Sequence, residues 1–262
     1  PVRRMLSEEM DDPHVLDATA RLDVAIDPVD GSSNIETTAP IGTIFSIFPS
    51  AGDAAPSHKG SAQLAAGYVI YGAQTALVMT VGDGAQLFTL DRATGEFLRT
   101  QERLTIPKTT REVAINASNR RHWDQTIRHY WDDCLAGAEG PRGDDFNMRW
   151  IASMVAEAHR ILVRGGIYLY PADSRKGYGT GRLRLLYEAH PIAFLVEQAG
   201  GAASDGETRI LDLAAASVHQ RTPLIFGSAD EVALVHSYIA RATMGGLQSP
   251  LFRTQGRGLF AG

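Results

Sequence analysis

The chain has 262 residues, 44% of them hydrophobic and 21% charged, which suits a large core in one domain or two closely joined ones. The formal net charge of -5 and a sequence pI near 5.9 exclude the clustered positive charge that non-specific nucleic-acid binding needs. No apolar run of about 18 residues is present, so no membrane span is expected. The single cysteine, Cys134, rules out an internal disulfide and fits a reducing cytoplasm. Pro1-Val2-Arg3-Arg4-Met5 has no signal-peptide core, and the missing initial Met reads as processing or as a piece of a longer chain.

In chain order, residues 1–21 are polar and acidic and read as a solvated loop. Leu22 to Ile26 reads as a strand that ends at Asp27, and Gly31-Ser32-Ser33 as a helix or turn start. Thr43 to Phe48 is β-branched and aromatic, a second strand. Residues 49–61 form a surface loop, and Gln63 to Tyr71 is expected as a short helix. Thr75 to Val81 and Ala85 to Leu90 flank Gly82-Asp83-Gly84, a β-hairpin pattern. A turn at Ala93-Thr94-Gly95 follows. Glu112 to Asn116 opens a new strand beyond Pro107, and Trp123 to Leu135 has helical spacing. After a loop over 137–145, Met148 to Val163 is the clearest amphipathic helix, stopped by Gly165-Gly166. Ile167 to Pro171 reads as a buried strand, residues 172–180 as a polar loop, and Leu185 to Gln198 as mostly helical with Pro191 in its first turn. Arg209 to Leu213 and Pro223 to Phe226 read as strands, Ala229 to Ala240 as the last helix, and residues 248–262 as irregular. The mixture predicts an α/β (α+β) layered sandwich of two subdomains, residues 1–104 and 105–262.

One stretch carries chemistry: Asp27-Pro28-Val29-Asp30-Gly31-Ser32-Ser33-Asn34, with Glu8-Glu9 upstream. Carboxylates are the hard oxygen ligands that magnesium wants, and backbone N–H groups at a turn hold phosphate oxygens. Close-set divalent ions can cleave a phosphate ester by lowering the pKa of an attacking water and neutralising the leaving oxygen. Such a site needs four or five acids from separate segments: Glu8, Glu9, Asp27, Asp30 and one from the second half, with the carbonyl of Val29 as a further ligand. Gly31 permits close backbone approach, and Ser32 and Ser33 offer N–H and hydroxyl groups. Arg120, Arg121, Arg149, Arg182 and Arg184 supply forks that match phosphate oxygens. No histidine pair has zinc-like spacing; His159 reads as a packed residue. Of Tyr168 and Tyr170, only one is expected to face the site.

These residues, with Gly42-Thr43-Ile44-Phe45, Ala65-Ala66-Gly67-Tyr68, Ser153-Met154-Val155-Ala156, Leu183-Arg184-Leu185-Leu186-Tyr187-Glu188 and His219-Gln220-Arg221, carry a resemblance along nearly the whole chain. The chain resembles class I fructose-1,6-bisphosphatase of bacterial type, within the lithium-sensitive, magnesium-dependent phosphatase superfamily. The resemblance implies that Glu8, Glu9, Asp27, Val29, Asp30 and Glu188 form the metal site for Mg2+, with Mn2+ as an alternative. Glu9 would activate water beside Asp27 and Asp30. Asp30, Gly31, Ser32 and Ser33 would hold the departing phosphate, and Asn116, Arg149, Tyr170 and Arg182 the far end of a sugar bisphosphate. In the family the arginine matching Arg149 comes from a neighbouring subunit, so a homotetramer is expected. Arg182 stands where many relatives have lysine, and Trp150 and Asn119 where animal members have tyrosine. Family members also carry a segment before Glu8, with AMP-binding helices and another acid, so the chain reads as N-terminally truncated with a natural C-terminal end at Ser249 to Phe252 and Gly258 to Phe260.

The implied activity is magnesium-dependent hydrolysis of the 1-phosphate of fructose 1,6-bisphosphate, in gluconeogenesis or the Calvin cycle. Sedoheptulose-1,7-bisphosphatase or a bifunctional enzyme is the near alternative. An inositol-monophosphatase-like enzyme is less favoured, because the Trp-Asp-x-Ala-Ala-Gly segment it predicts is absent. A non-catalytic sugar-phosphate-binding subunit is the alternative from another class.

Overall fold

The computed structural model describes residues 2–52 and 58–243. Part of the predicted 49–61 loop, the irregular tail and the expected C-terminal end lie outside the described residues.

The first sheet holds β1 (Val2–Ser7), β2 (His14–Val15), β3 (Leu22–Asp30), β4 (Ile41–Pro49), β5 (Ala65–Tyr71), β6 (Thr75–Thr80), β7 (Gln86–Asp91) and β8 (Glu96–Gln101), in the order β2-β1-β3-β4-β5-β6-β7-β8. Only β1 and β3 run parallel; the other neighbours are antiparallel. In β4 and β6 every second residue is buried, as expected for a sheet with one face on the core.

The second sheet, ordered β10-β9-β11-β15-β13, is built from β9 (Glu112–Ile115), β10 (Asn147–Met148), β11 (Ile167–Tyr170), β13 (Ala202–Ser204) and β15 (Leu224–Gly227). A small ribbon pairs β12 (Leu183–Arg184) with β14 (Arg221–Thr222). The helices are α1 (Gln125–Leu135), α2 (Met154–Arg164), α3 (His190–Gln198) and α4 (Ala229–Thr243).

Strand periodicity sorts the second sheet into two cores. Val113, Ile115, Ile167, Leu169 and Ile225 pack with Trp123, Ile127, Tyr130, Trp131, Val232 and Val235 of the α1–α4 side. Ala114, Tyr168, Leu224 and Phe226 face the opposite way, into the core shared with α2, α3 and the first sheet. The layers therefore run sheet, α2–α3, sheet, α1–α4, which is the layered α/β sandwich expected from the sequence. Gly42 is a close-approach point: a Cβ there would lie 2.5 Å from Val155 of α2.

Four element expectations are corrected. Residues 2–7 form a strand, not a loop, because the charge of Arg4 is buried against Asp23 of β3 at 2.6 Å. Residues 65–71 form a central strand rather than a helix; the small residues fit where a Cβ on Gly67 would meet the Phe45 ring at 2.5 Å. Helix α2 starts at Met154, not Met148, because Ser153 caps it, Ala152 has φ 62° and Asn147–Met148 pairs with β9. Residues 210–212 form a 3₁₀ turn rather than a strand, with the adjacent side chains of Ile210 and Leu211 both buried. The hairpin of β6 and β7, α1 and the π-turn-plus-helix from Leu185 to Gln198 follow the sequence pattern.

Candidate active site

The site forms where β3 delivers its last residues to the N-terminus of α2. Strand β3 does not stop at Asp27 as expected but continues to Asp30. Asp27 faces Ile44 and Asp30 faces Gly42, so three steps on β3 match two on β4. Residues three apart in a regular strand point to opposite faces; the one-residue bulge turns both aspartates to the buried face. Asp27 is 2% exposed and Asp30 7%.

Asp30 is held by α2 from 123 residues away. Its Oδ2 accepts from Ser153 Oγ and from Val155 N, both at 2.9 Å, and its Oδ1 accepts from Met154 N at 3.3 Å. A carboxylate suits the positive end of a helix dipole. Gly31, with φ 76°, turns the chain away beneath this cap, and a Cβ on it would lie 2.9 Å from Ser153 Cβ. Ser32 and Ser33 then open an exposed 3₁₀ turn whose first N–H groups have no partner within it. Asn34 anchors the turn by donating to the carbonyls of Pro40 and Ile151, each at 3.2 Å.

Glu188 arrives on a π-helical turn, Leu185–Ala189, that precedes α3. Such turns are frequent at functional sites because they re-aim a side chain. Its carboxylate accepts from the backbone N–H of Arg184. Oxygens of Asp27, Asp30 and Glu188 all lie within 4.8 Å of one another. Burial, then the charges of Glu8 and Asp30, pushes the Asp27 carboxyl up to about 7. Burial likewise raises Asp30, against the pull of its hydrogen bonds to α2, and raises Glu188 well above the usual carboxylate range. Three buried acids that resist ionising together are a set for which a hard divalent cation is the fitting counter-charge.

The other predicted residues fall in graded positions. Glu8, Asp30, Ser33 and Glu188 line a cavity of about 370 Å³ together with Asn116, Tyr170, Arg182 and Arg184. Asn116 and Tyr170 sit at the C-terminal ends of β9 and β11, the end of parallel strands where ligands bind in open α/β sheets. Arg182 Nη1 donates to the Tyr178 hydroxyl at 2.8 Å, and its guanidinium lies over that ring at 4.6 Å. Glu8 stands outside the tight acid group, with Arg184 Nε 3.7 Å from its Oε1, and Glu9 is exposed on the same turn. Val29 N donates to Asp27 Oδ1 at 2.9 Å, which bends the backbone around that carboxylate. Arg149 is not in the cavity; it is half exposed and pairs with Glu112 at 3.7 Å.

The expectation for the two tyrosines is corrected. Tyr168 and Tyr170 are two residues apart on β11, so they share a face, and both line the cavity. Trp150 stacks on Tyr168 at 5.9 Å and completes that wall. Sequence reasoning left Tyr168, Arg221 and the Asp30 partner Ser153 out of the site, and named Arg184 only as one of several phosphate-matching arginines and Trp150 only as a departure from relatives. The available signal was the Leu-Arg ribbon just before Leu-Tyr-Glu, which places Arg184 four residues from Glu188. A larger cleft of about 720 Å³ lies beside Trp123 and Asp173, but its cations are already engaged: Arg120 with Asp132, and Arg128 with the carbonyls of Trp123 and Arg121.

A layered α/β sandwich with buried acids and arginines lining one cleft is the arrangement of the sugar phosphatases. Family models described as fructose-1,6-bisphosphatase N-terminal and C-terminal domains match residues 1–102 and 106–240. The chain is 55% identical over 258 residues to the class 1 fructose-1,6-bisphosphatase of Bradyrhizobium diazoefficiens, covering 97% of this chain and 75% of that protein. It is 56% identical over 266 residues to that of Sinorhizobium medicae, covering 99% and 76%. The solved holo form of Leishmania major fructose-1,6-bisphosphatase superposes with a TM-score of 0.86 at 37% identity, over 92% of this chain and 78% of that one. The chain belongs to the class 1 fructose-1,6-bisphosphatase family.

Proposed function

We propose that the protein is a phosphoric monoester hydrolase that releases the 1-phosphate of fructose 1,6-bisphosphate. The observation that carries this is the buried Asp27–Asp30–Glu188 cluster, two of whose acids line one cavity with Arg182 and Arg184, in a chain of this family. Asp27, Asp30 and Glu188, with Glu8 and the Val29 carbonyl at the rim, would hold Mg2+ or Mn2+. That ion, when bound, supplies Lewis-acid polarisation of the phosphoryl group and an acidified water. The donors are all oxygen, which suits these hard ions over zinc or copper.

The chain's own groups divide the remaining work. The first-turn N–H groups and hydroxyls of Ser32 and Ser33 hold the oxygens of the departing phosphate, and Gly31 lets the backbone come close. Glu9, on the exposed turn beside the cluster, accepts the proton of the attacking water. Asn116, Tyr170 and Arg182 orient the far phosphate, whose fixed distance from the cluster presents the 1-phosphate for attack. Arg149, exposed and away from this chain's cavity, reaches the site of a neighbouring subunit in a homotetramer. Residues 1–104 carry Glu8, Glu9, Asp27 and Asp30, and residues 105–262 carry Glu188 and the far-phosphate groups, so both subdomains contribute to the cleft. No described helix is long and apolar enough to cross a membrane, and a cytoplasmic place in gluconeogenesis or the Calvin cycle accords with one buried cysteine.

Phosphate release from fructose 1,6-bisphosphate, measured with Mg2+ and with chelator, tests this reading. Turnover with Mg2+ and none with chelator is expected. Substrate binding without turnover would support a non-catalytic subunit instead. Parallel assays with sedoheptulose 1,7-bisphosphate and inositol 1-phosphate read the substrate range.

A further inference from the structure

The sequence gives no histidine a role in the site, yet His219 joins two of the segments that build it. Its Nε2 lies 3.1 Å from the carbonyl oxygen of Met10, 209 residues away. Its Nδ1 is hydrogen-bonded to the hydroxyl of Tyr187. A carbonyl can only accept, so Nε2 carries the proton and donates. With Nε2 donating to the Met10 carbonyl, Nδ1 remains to share a hydrogen bond with the Tyr187 hydroxyl, so one ring bridges both groups.

Both partners adjoin acids of the site. Met10 closes the turn that carries Glu8 and Glu9, with its N–H on the Ser7 carbonyl at 3.3 Å and the Glu8 N–H on the Ile26 carbonyl at 3.1 Å. Tyr187 immediately precedes Glu188 on the π-helical turn. His219 itself stands on a braced segment. Gln220 accepts from Leu185 N through its carbonyl at 2.8 Å and from Ala216 N through its side chain at 2.6 Å, and Arg221 is paired with Arg184 across the ribbon. The only other side-chain link found between the two turns among the described residues is the long 3.7 Å contact of Arg184 with Glu8. The Glu8–Glu9 turn adjoins the buried carboxylates, and the charge of Glu8 acts on all three.

We propose that His219 is a positioning residue for the metal site, a strut that fixes the Glu8–Glu9 turn against the turn carrying Glu188. This rests on the reading above that the acid cluster holds a divalent cation. Outer partners that orient ligands are worth about 10–100-fold in metal affinity. The strut sets the approach of Glu8 and Glu9, and so the affinity of the ion they share with the buried cluster.

The test is calorimetric titration of the chelator-treated protein with Mn2+, with thermal unfolding in chelator run on every variant. His219→Phe keeps the ring volume and removes both hydrogen bonds; Mn2+ binding about tenfold weaker is expected. His219→Gln keeps a donor and an acceptor, and is expected to bind within about threefold of wild type. Tyr187→Phe, which also removes the hydroxyl's interaction with Arg184, should weaken binding at least as much as His219→Phe, and the double variant should be no weaker than Tyr187→Phe alone. Unchanged Mn2+ affinity in His219→Phe, or equal losses in His219→Gln and His219→Phe, overturns the proposal, as does a wild type that binds no Mn2+. If His219→Phe does not fold, His219→Gln and Tyr187→Phe decide: the proposal stands if only the second weakens binding, and falls otherwise. Mn2+ binding needs no sugar, so a wild type that binds Mn2+ but releases no phosphate sinks the proposed activity and leaves this strut standing.

Discussion

Asp27 is the residue on which most of the site turns. It lies within reach of Asp30 and Glu188 and is fully buried. Asp27→Asn removes a ligand, and turnover with Mg2+ should fall by more than about a hundredfold while the protein stays folded. An Asn variant at near-normal rate would take Asp27 out of the site. The same substitution should stabilise the metal-free protein, with a definite pH signature. The folded carboxyl, raised from 3.8 to about 7, binds its proton more tightly than the unfolded one. Its contribution to stability is therefore full below the unfolded value and is lost as pH rises through the folded value. In chelator, the stability gained by Asp27→Asn over wild type should be small near pH 4 and grow to about 4 kcal/mol by pH 8. Urea unfolding across that range reads it. Mn2+ at pH 8 should raise the wild-type melting temperature far more than that of the variant.

At the scale of elements, the bulge in β3 and the capped start of α2 act as one device. The bulge turns Asp30 inward, and Asp30 then satisfies N–H groups at the head of α2 that would otherwise be orphaned. Gly31 is the joint. Gly31→Ala places a side chain at positive φ and against Ser153, and should cost about 2–3 kcal/mol in urea midpoint terms. It should also depress kcat, because the phosphate-holding turn begins there. Ser153→Ala, which loses one cap and one Asp30 contact, should cost only about 1 kcal/mol. Equal losses from the two substitutions would show that Gly31 is needed for the cap alone and not for its own geometry.

For the whole molecule, the open question is what Arg149 serves. It does not line its own chain's cavity and pairs with Glu112 instead, and the homotetramer reading makes it a group donated to a neighbour's site. Arg149→Ala and Asp27→Asn should each be nearly inactive alone. If the arginine acts across an interface, co-refolding the two at equal amounts should restore about a quarter of wild-type activity, the share of sites with an intact Asp27 from one chain and an intact Arg149 from the other. No recovery on mixing, with tetramers present by sedimentation, would place Arg149 in its own chain's chemistry.

The sequence by itself pointed to most of the alternating strands, the helices α1 and α4, and the acids at 27 and 30, because periodicity and a dense local motif survive in one dimension; Glu188 came only with the family resemblance. It misjudged β1, where Arg4 looked solvated and is instead neutralised by Asp23. It misjudged β5, whose small residues suit the centre of a crowded sheet as well as a helix. Only the tertiary structure decided that Asp27 and Asp30 face the same way, since one extra residue reverses a strand's alternation and leaves no mark in composition. Only it showed that the head of α2 leans on Asp30 and that His219 spans 209 residues to hold the Glu8–Glu9 turn. These are contacts between segments distant in the chain, fixed by packing rather than by local preference.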